Sequence, residues 1–161
     1  MESPRVGNPP RQFGVVEDGG VLMFNIIVLA EDEPVIGQVV QVALERAGYI
    51  VFWRTNGIDA WDSIQSSTPD LVILDQMMPG LSGLQVLSKM HATAETRRIP
   101  VIMATSKGHK SDIVAALKGG AADYLVKPYG MAELVERVHR ILEPGALGKP
   151  SQDPRSIPRS S

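Results

Sequence analysis

Cysteine is absent from the 161-residue chain, which excludes disulfides, thiolate-ligated zinc and thiol catalysis and fits a reducing compartment. Neither charge is in surplus: 16 basic against 18 acidic residues leave a net charge of −2. The basic footprint with which nucleic-acid binders neutralise phosphates is therefore missing, and direct binding to nucleic acid is not expected. Long apolar runs are lacking too. The most apolar stretch, Val21 to Ala30, is too short to span a bilayer, so no membrane insertion is expected. Its end, Val28-Leu29-Ala30, has the small-residue character of a signal cleavage site, but Glu17 and Asp18 stand where a basic region is required. The stretch reads as a core strand, and the protein as cytoplasmic. What remains, 43% hydrophobic and 21% charged residues, is the ordinary make-up of one soluble domain.

The chain divides into three parts. Residues 1–22, rich in Pro, Gly and charge, read as a disordered leader, and Met23 is a candidate alternative start. Residues 23–143 form one domain, and residues 144–161 a Pro/Ser-rich tail expected to be disordered and too short for an effector domain. Within the domain, apolar runs of strand length (Asn25–Ala30, Ile50–Trp53, Leu71–Leu74, Val101–Ala104, Asp123–Val126) alternate with segments of helical spacing. The apolar stripes predicted for the helices are Val35, Ile36, Val39, Val40, Ala43 and Leu44; Ile58, Ala60, Trp61 and Ile64; Leu84, Leu87 and Met90; Ile113, Val114 and Leu117; and Leu134, Val135, Val138, Ile141 and Leu142. Gly48 ends the first helix and Gly119-Gly120 the fourth. This alternation predicts a doubly wound α/β domain, its parallel sheet covered on both faces.

In such a sheet the site lies at the carboxyl ends of the strands. Glu31-Asp32-Glu33 arrive there after the first strand, Asp75 after the third, Thr105-Ser106 after the fourth and Lys127-Pro128 after the fifth. Clustered carboxylates without thiol or grouped histidine select a hard divalent cation, Mg²⁺ or alternatively Mn²⁺. A carboxylate held near a cation, a lysine and a hydroxyl is a device for accepting a phosphoryl group, because phosphoryl transfer demands positioning and charge neutralisation.

Four runs, IIVLAEDEP, DLVILDQMMPGLSG, IPVIMATS and GAADYLVKPY, resemble in order and spacing the signature stretches of bacterial response-regulator receiver domains. The resemblance covers roughly residues 24–142 and implies a flavodoxin-like (β/α)5 fold with strand order 2-1-3-4-5. It implies further that Asp75 is the phosphoacceptor, served by a sensor histidine kinase, and that Asp32 binds Mg²⁺ directly and Glu31 mainly through water. Asp75 itself and the backbone carbonyl of Met77 complete the ligand set. Lys127 contacts the phosphoryl oxygens, and its bond to Pro128 is the family's cis peptide. Thr105 and Tyr124 form the switch, read out on the face of helix four, strand five and helix five. A stand-alone receiver passes its signal to a separate effector or relays the phosphoryl group to a histidine phosphotransfer protein. Asp123 and Arg137 match a salt-bridge position of receiver dimers, while Ile113 replaces a usual basic partner, so a monomer or weak dimer is expected. Glu31 departs from the commoner Asp, and Ser106 from a smaller residue. Met77 with Lys107 resembles members whose phosphoryl group is long-lived.

Blander roles are assigned elsewhere: Glu33 to the first helix N-terminus, Trp53 and Trp61 to packing, and Met77-Met78 to core filling beside the backbone ligand. His91, His109 and His139 are read as solvated helix residues. Three rival readings stand against the whole. FMN or dinucleotide binding needs an amide-rich loop, not Glu-Asp-Glu-Pro, after the first strand. A Mg²⁺-dependent phosphohydrolase resembling the haloacid dehalogenase group needs an acid two residues after Asp75, where Met77 stands. A phosphorylation-independent docking module is expected to have lost Asp75, Thr105 or Lys127. The chain is therefore read as a phosphoacceptor switch and not as a turnover enzyme.

Overall fold

The computed structural model describes residues 12–15, 21–106 and 110–143. Five parallel strands, β3 (Ile26–Ala30), β4 (Ile50–Arg54), β5 (Leu71–Asp75), β6 (Val101–Ser106) and β7 (Asp123–Lys127), lie in the order β4-β3-β5-β6-β7. Counted from β3, this is the expected 2-1-3-4-5. Every residue of the central strands β3 and β5 is buried, as near-continuous Ile, Val and Leu runs require of a sheet covered on both faces. The strands alternate their loads. Ile27, Leu29, Ile73 and Ile102 face α1 (Pro34–Arg46) and α5 (Met131–Leu142). Val28, Ala30, Val72, Leu74 and Met103 face α2 (Gly57–Ser67), α3 (Gly83–Ala92) and α4 (Lys110–Lys118). The chain reverses its winding between β3 and β5, which opens a crevice at their carboxyl ends.

Local chemistry fixes the helix limits. Pro34 occupies the first position of α1, where its missing N–H is not needed, and Gly48 (φ +101°) follows its end. Asn56 caps α2 by accepting the Asp59 amide at 2.8 Å. Ser82 and Gln85 form a reciprocal capping box on α3 (3.2 and 2.8 Å).

At the amino-terminal end, Gln12–Val15 (β1) pairs antiparallel with Val21–Met23 (β2). Two expectations need correction. The buried stripes of three helices are narrower than the apolar pattern: on α2, Ala60 and Ile64 are buried but Ile58 is 54% exposed. On α1, Val40 and Leu44 are buried, but Val35 is 74% and Val39 47% exposed; on α4, Ala116 is buried while Val114 and Leu117 are exposed. A single-sheet contact covers only part of a helix circumference, so the outer valines have no neighbour layer. His139 is half-buried rather than solvated: its ring meets Tyr49 edge-on at 5.4 Å, and its Nε2 is buried with no hydrogen-bond partner among the described residues. His109 and the 144–161 tail lie outside the described residues.

The narrow α1 stripe has a measurable consequence. Leu44→Ala is expected to cost about 2–5 kcal/mol, and Val39→Ser to stay within about 0.5 kcal/mol of the native chain, in urea denaturation.

Candidate functional site

Asp75 is the last residue of β5, and its backbone is held from two sides. The ladder with β6 continues beyond it through Gln76 N–H to the Ala104 carbonyl (2.9 Å), and Gly83 N–H bonds back to the Gln76 carbonyl (3.0 Å). A Cβ on Gly83 would lie 2.6 Å from the Asp75 carbonyl oxygen, so only glycine lets the first turn of α3 approach this closely.

Glu31 leaves β3 one strand away. Its amide extends the pairing with β4 by bonding to the Arg54 carbonyl (3.0 Å), and its side-chain Oε2 accepts the Glu33 amide (3.1 Å). Glu33 occupies the cap position of α1, but its side chain makes no capping bond. Lys127 ends β7, two strands from β5. The β6 residues on the same face near its path are Ala104 and Ser106, small enough to leave that path open. Its Nζ reaches Asp75 Oδ2 at 3.0 Å and Glu31 Oε1 at 2.9 Å. The bond from Lys127 to Pro128 is cis.

Glu31 is 1% and Asp75 5% exposed, and Asp32 is half-buried. Each offers an oxygen, and these atoms lie within 4.8 Å of one another. One ammonium cannot neutralise three carboxylates so close together, and the donors are all hard oxygen, so the cluster fits Mg²⁺ or Mn²⁺. Titration reflects the same imbalance. Burial pushes the Asp75 pKa up to about 6; the Lys127 hydrogen bond pulls against it, and the nearby Glu31 charge adds to it. For Lys127, burial opposes the ammonium, but bonds to Glu31 and Asp75 outweigh it and hold the pKa above the ordinary lysine value.

The other predicted residues fall around this centre. Met77, two residues past Asp75, donates its amide to Asp75 Oδ1 over a long 3.4 Å. Its side chain is 62% exposed, so it does not fill the core as expected; Met78 packs against the α2–α4 layer instead. Thr105 is buried within β6, and its hydroxyl has no hydrogen-bond partner among the described residues. Tyr124 lies opposite Met103 on β7 and packs against the α2–α4 layer. Lys107 lies outside the described residues.

Two side chains near the site escaped the sequence reading. Trp53 donates its indole N–H to the Glu31 carbonyl at 2.8 Å; only its strand position, ahead of the acidic turn, hinted at this. Tyr129 follows Pro128, and burial, with the Glu31 charge adding to it, pushes its phenol up to about 12.

A family model described as "Response regulator receiver domain" matches residues 27–139. Relatives include the phosphate regulon transcriptional regulatory protein PhoB of Rhizobium meliloti, 39% identical over 116 residues, or 72% of this chain and 51% of that one. Another is the response regulator RppA of Synechocystis, 38% identical over 71% of this chain and 49% of that one. The chain thus spans about half the length of these relatives. Among solved structures, a putative response regulator from Chloroflexus aurantiacus is 31% identical, with a TM-score of 0.71, covering 74% of this chain and 98% of that one. The chemotaxis response regulator CheY4 of Vibrio cholerae is 25% identical, with a TM-score of 0.69, covering 74% and 99%.

The raised Asp75 pKa fixes the sign of a pH effect. Between the ordinary 3.8 and about 6 the folded chain binds more protons at this carboxyl than the unfolded one. The stability it contributes therefore falls as pH rises through that window. Without metal, Asp75→Asn is expected to be more stable than the native chain by of the order of 2 kcal/mol at about pH 7.5, with little difference at about pH 4, in urea denaturation.

Proposed function

Because this chain belongs to the response regulator receiver domain family, we propose that Asp75 accepts a phosphoryl group from the phosphohistidine of a sensor histidine kinase. The observation that carries this reading is the Asp75 carboxylate itself. It is held by Lys127 at 3.0 Å and lies within shared ligand distance of Glu31 and Asp32, at the open end of the sheet. A carboxylate oxygen attacks phosphorus, the P–N bond breaks, and the electron pair leaves on the imidazole, which takes up a proton. The products are an aspartyl phosphate and a neutral histidine.

Glu31, Asp32, Asp75 and the Met77 backbone carbonyl would hold the divalent cation, which would supply charge neutralisation for the incoming phosphoryl oxygens. Lys127, already placed between Asp75 and Glu31, transfers its hydrogen bonds to the phosphoryl group. The carboxyl that a phosphohydrolase needs two residues beyond Asp75 is replaced by Met77. The domain therefore acts on itself, as a switch.

The Thr105 hydroxyl supports the readout. A buried hydroxyl without a partner is unfavourable by about 1–3 kcal/mol, and a phosphoryl oxygen on Asp75 offers it an acceptor. Its movement leaves space on the layer where Tyr124 packs, coupling the site to the α4–β7–α5 face. Val114 and Leu117 are exposed on α4 of that face, which suits docking of an effector or a histidine phosphotransfer protein. Arg137 already pairs within the chain, with Asp123 at 2.7 Å and Glu133 at 3.3 Å. A dimer built on that arginine must exchange a bond already made, which favours a monomer or weak dimer. Several relatives are named transcriptional regulators. The match covers about half of each, and the absence of direct nucleic-acid contact by this chain rests on its net charge of −2. Among the described residues no helix is long and apolar enough to cross a membrane.

Incubation with a small acyl phosphate and Mg²⁺ is expected to add one phosphoryl group by intact mass. Asp75→Asn should take none, and Lys127→Met should react roughly a hundredfold more slowly. An equal adduct on Asp75→Asn would overturn the assignment. With Met77 and Lys107 in place, the phosphoryl group is expected to persist for minutes or longer in Mg²⁺ without a phosphatase; loss within seconds, followed by phosphate release, would count against that lifetime.

A further inference from the structure

Both backbone polar atoms of Glu31 are tied to the edge strand β4. Its amide bonds to the Arg54 carbonyl at 3.0 Å. Strand β4 ends at Arg54, and the Glu31 carbonyl takes a side-chain donor, Trp53 Nε1, at 2.8 Å. The residue is 1% exposed, so water is a poor substitute for that donor.

The indole is itself immobilised. It lies against Gly37 in α1, where a Cβ would fall 2.1 Å from Trp53 Cε2 and Cζ2. Glycine at 37 and tryptophan at 53 are thus complementary: the helix is recessed where the ring needs room. Trp53 also packs on the core layer of α1 and α5. The peptide it holds joins Glu31 to Asp32. That peptide is planar, so fixing its carbonyl also fixes the amide of Asp32 and the point from which the Asp32 side chain starts. Core packing alone would need only a ring of this size; the aimed N–H does something more.

Resting on the reading of Asp75, Glu31 and Asp32 as a cation site, we infer that Trp53 is a positioning residue. Its indole N–H holds the Glu31–Asp32 peptide so that the two carboxylates meet Asp75 at cation-binding separation. Residues that orient ligands in this way change metal affinity when removed, even though they do not touch the ion.

The test is direct Mg²⁺ binding to the full chain, by calorimetry without phosphodonor, together with phosphorylation rates over a range of Mg²⁺ concentrations. Trp53→Phe keeps a ring and loses the donor. It is expected to raise the Mg²⁺ dissociation constant about tenfold, with the phosphorylation rate at saturating Mg²⁺ near native. A purely packing role would instead lower the metal-free melting temperature and leave the constant unmoved, which would overturn the inference. If Trp53→Phe does not fold, the sulfur isostere β-(3-benzothienyl)alanine at position 53 keeps the ring shape without the N–H. It must give the same rise; a native constant overturns the inference. A native chain that binds no Mg²⁺ would remove the cation site itself, whereas native binding with unchanged variants would remove only the role of Trp53.

Discussion

The ammonium of Lys127 stands 2.9 Å from Glu31 and 3.0 Å from Asp75, and the rest of the site depends on that shared cation. Two almost fully buried carboxylates repel one another and lose their hydration, and neither cost is tolerable without an opposite charge between them. The fold supplies that charge from two strands away. Strand β7 must end level with β5, and β6 must present small side chains, Ala104 and Ser106, between them. The compensation is partial, since Asp32 adds a third carboxylate and Asp75 remains hard to ionise. The residual negative charge is what suits the cluster to a divalent ion.

The parallel sheet and the carboxyl-end location of the site were legible because they follow from patterns that survive local detail, whereas the strand order came only with the resemblance to receiver domains. Apolar runs such as Leu71–Leu74 leave few alternatives to a buried parallel strand, and polar residues arriving after several strands must share one edge. Glu31, Asp75 and Lys127 were found on that logic and meet in the structure. Which face a helix buries was less legible. Val35 and Val39 continue the apolar stripe of α1 in sequence, yet hydrophobicity alone does not say how wide a stripe the neighbouring layer covers. His139 illustrates the converse: one polar residue among apolar ones reads as surface until the ring of Tyr49, 90 residues earlier, is seen beside it.

Trp53 marks a different limit. Aromatic residues on strands are so often packing residues that a donor function is invisible without the acceptor, and its acceptor is a main-chain carbonyl that no sequence pattern names. The β1–β2 pair was hidden for a related reason. A glycine- and proline-rich composition argues against a core, but a two-stranded ladder needs only backbone partners and a few β-prone side chains.

The glycine at position 83 has one further implication. With α3 pressed against the Asp75 carbonyl, and β6 bonded to the residue that follows, the main chain at the end of β5 has no room to give way. Two neighbours thus clasp the main chain at the point where β5 delivers its carboxylate, so a side chain grafted at position 83 would displace the very residue on which the site is built.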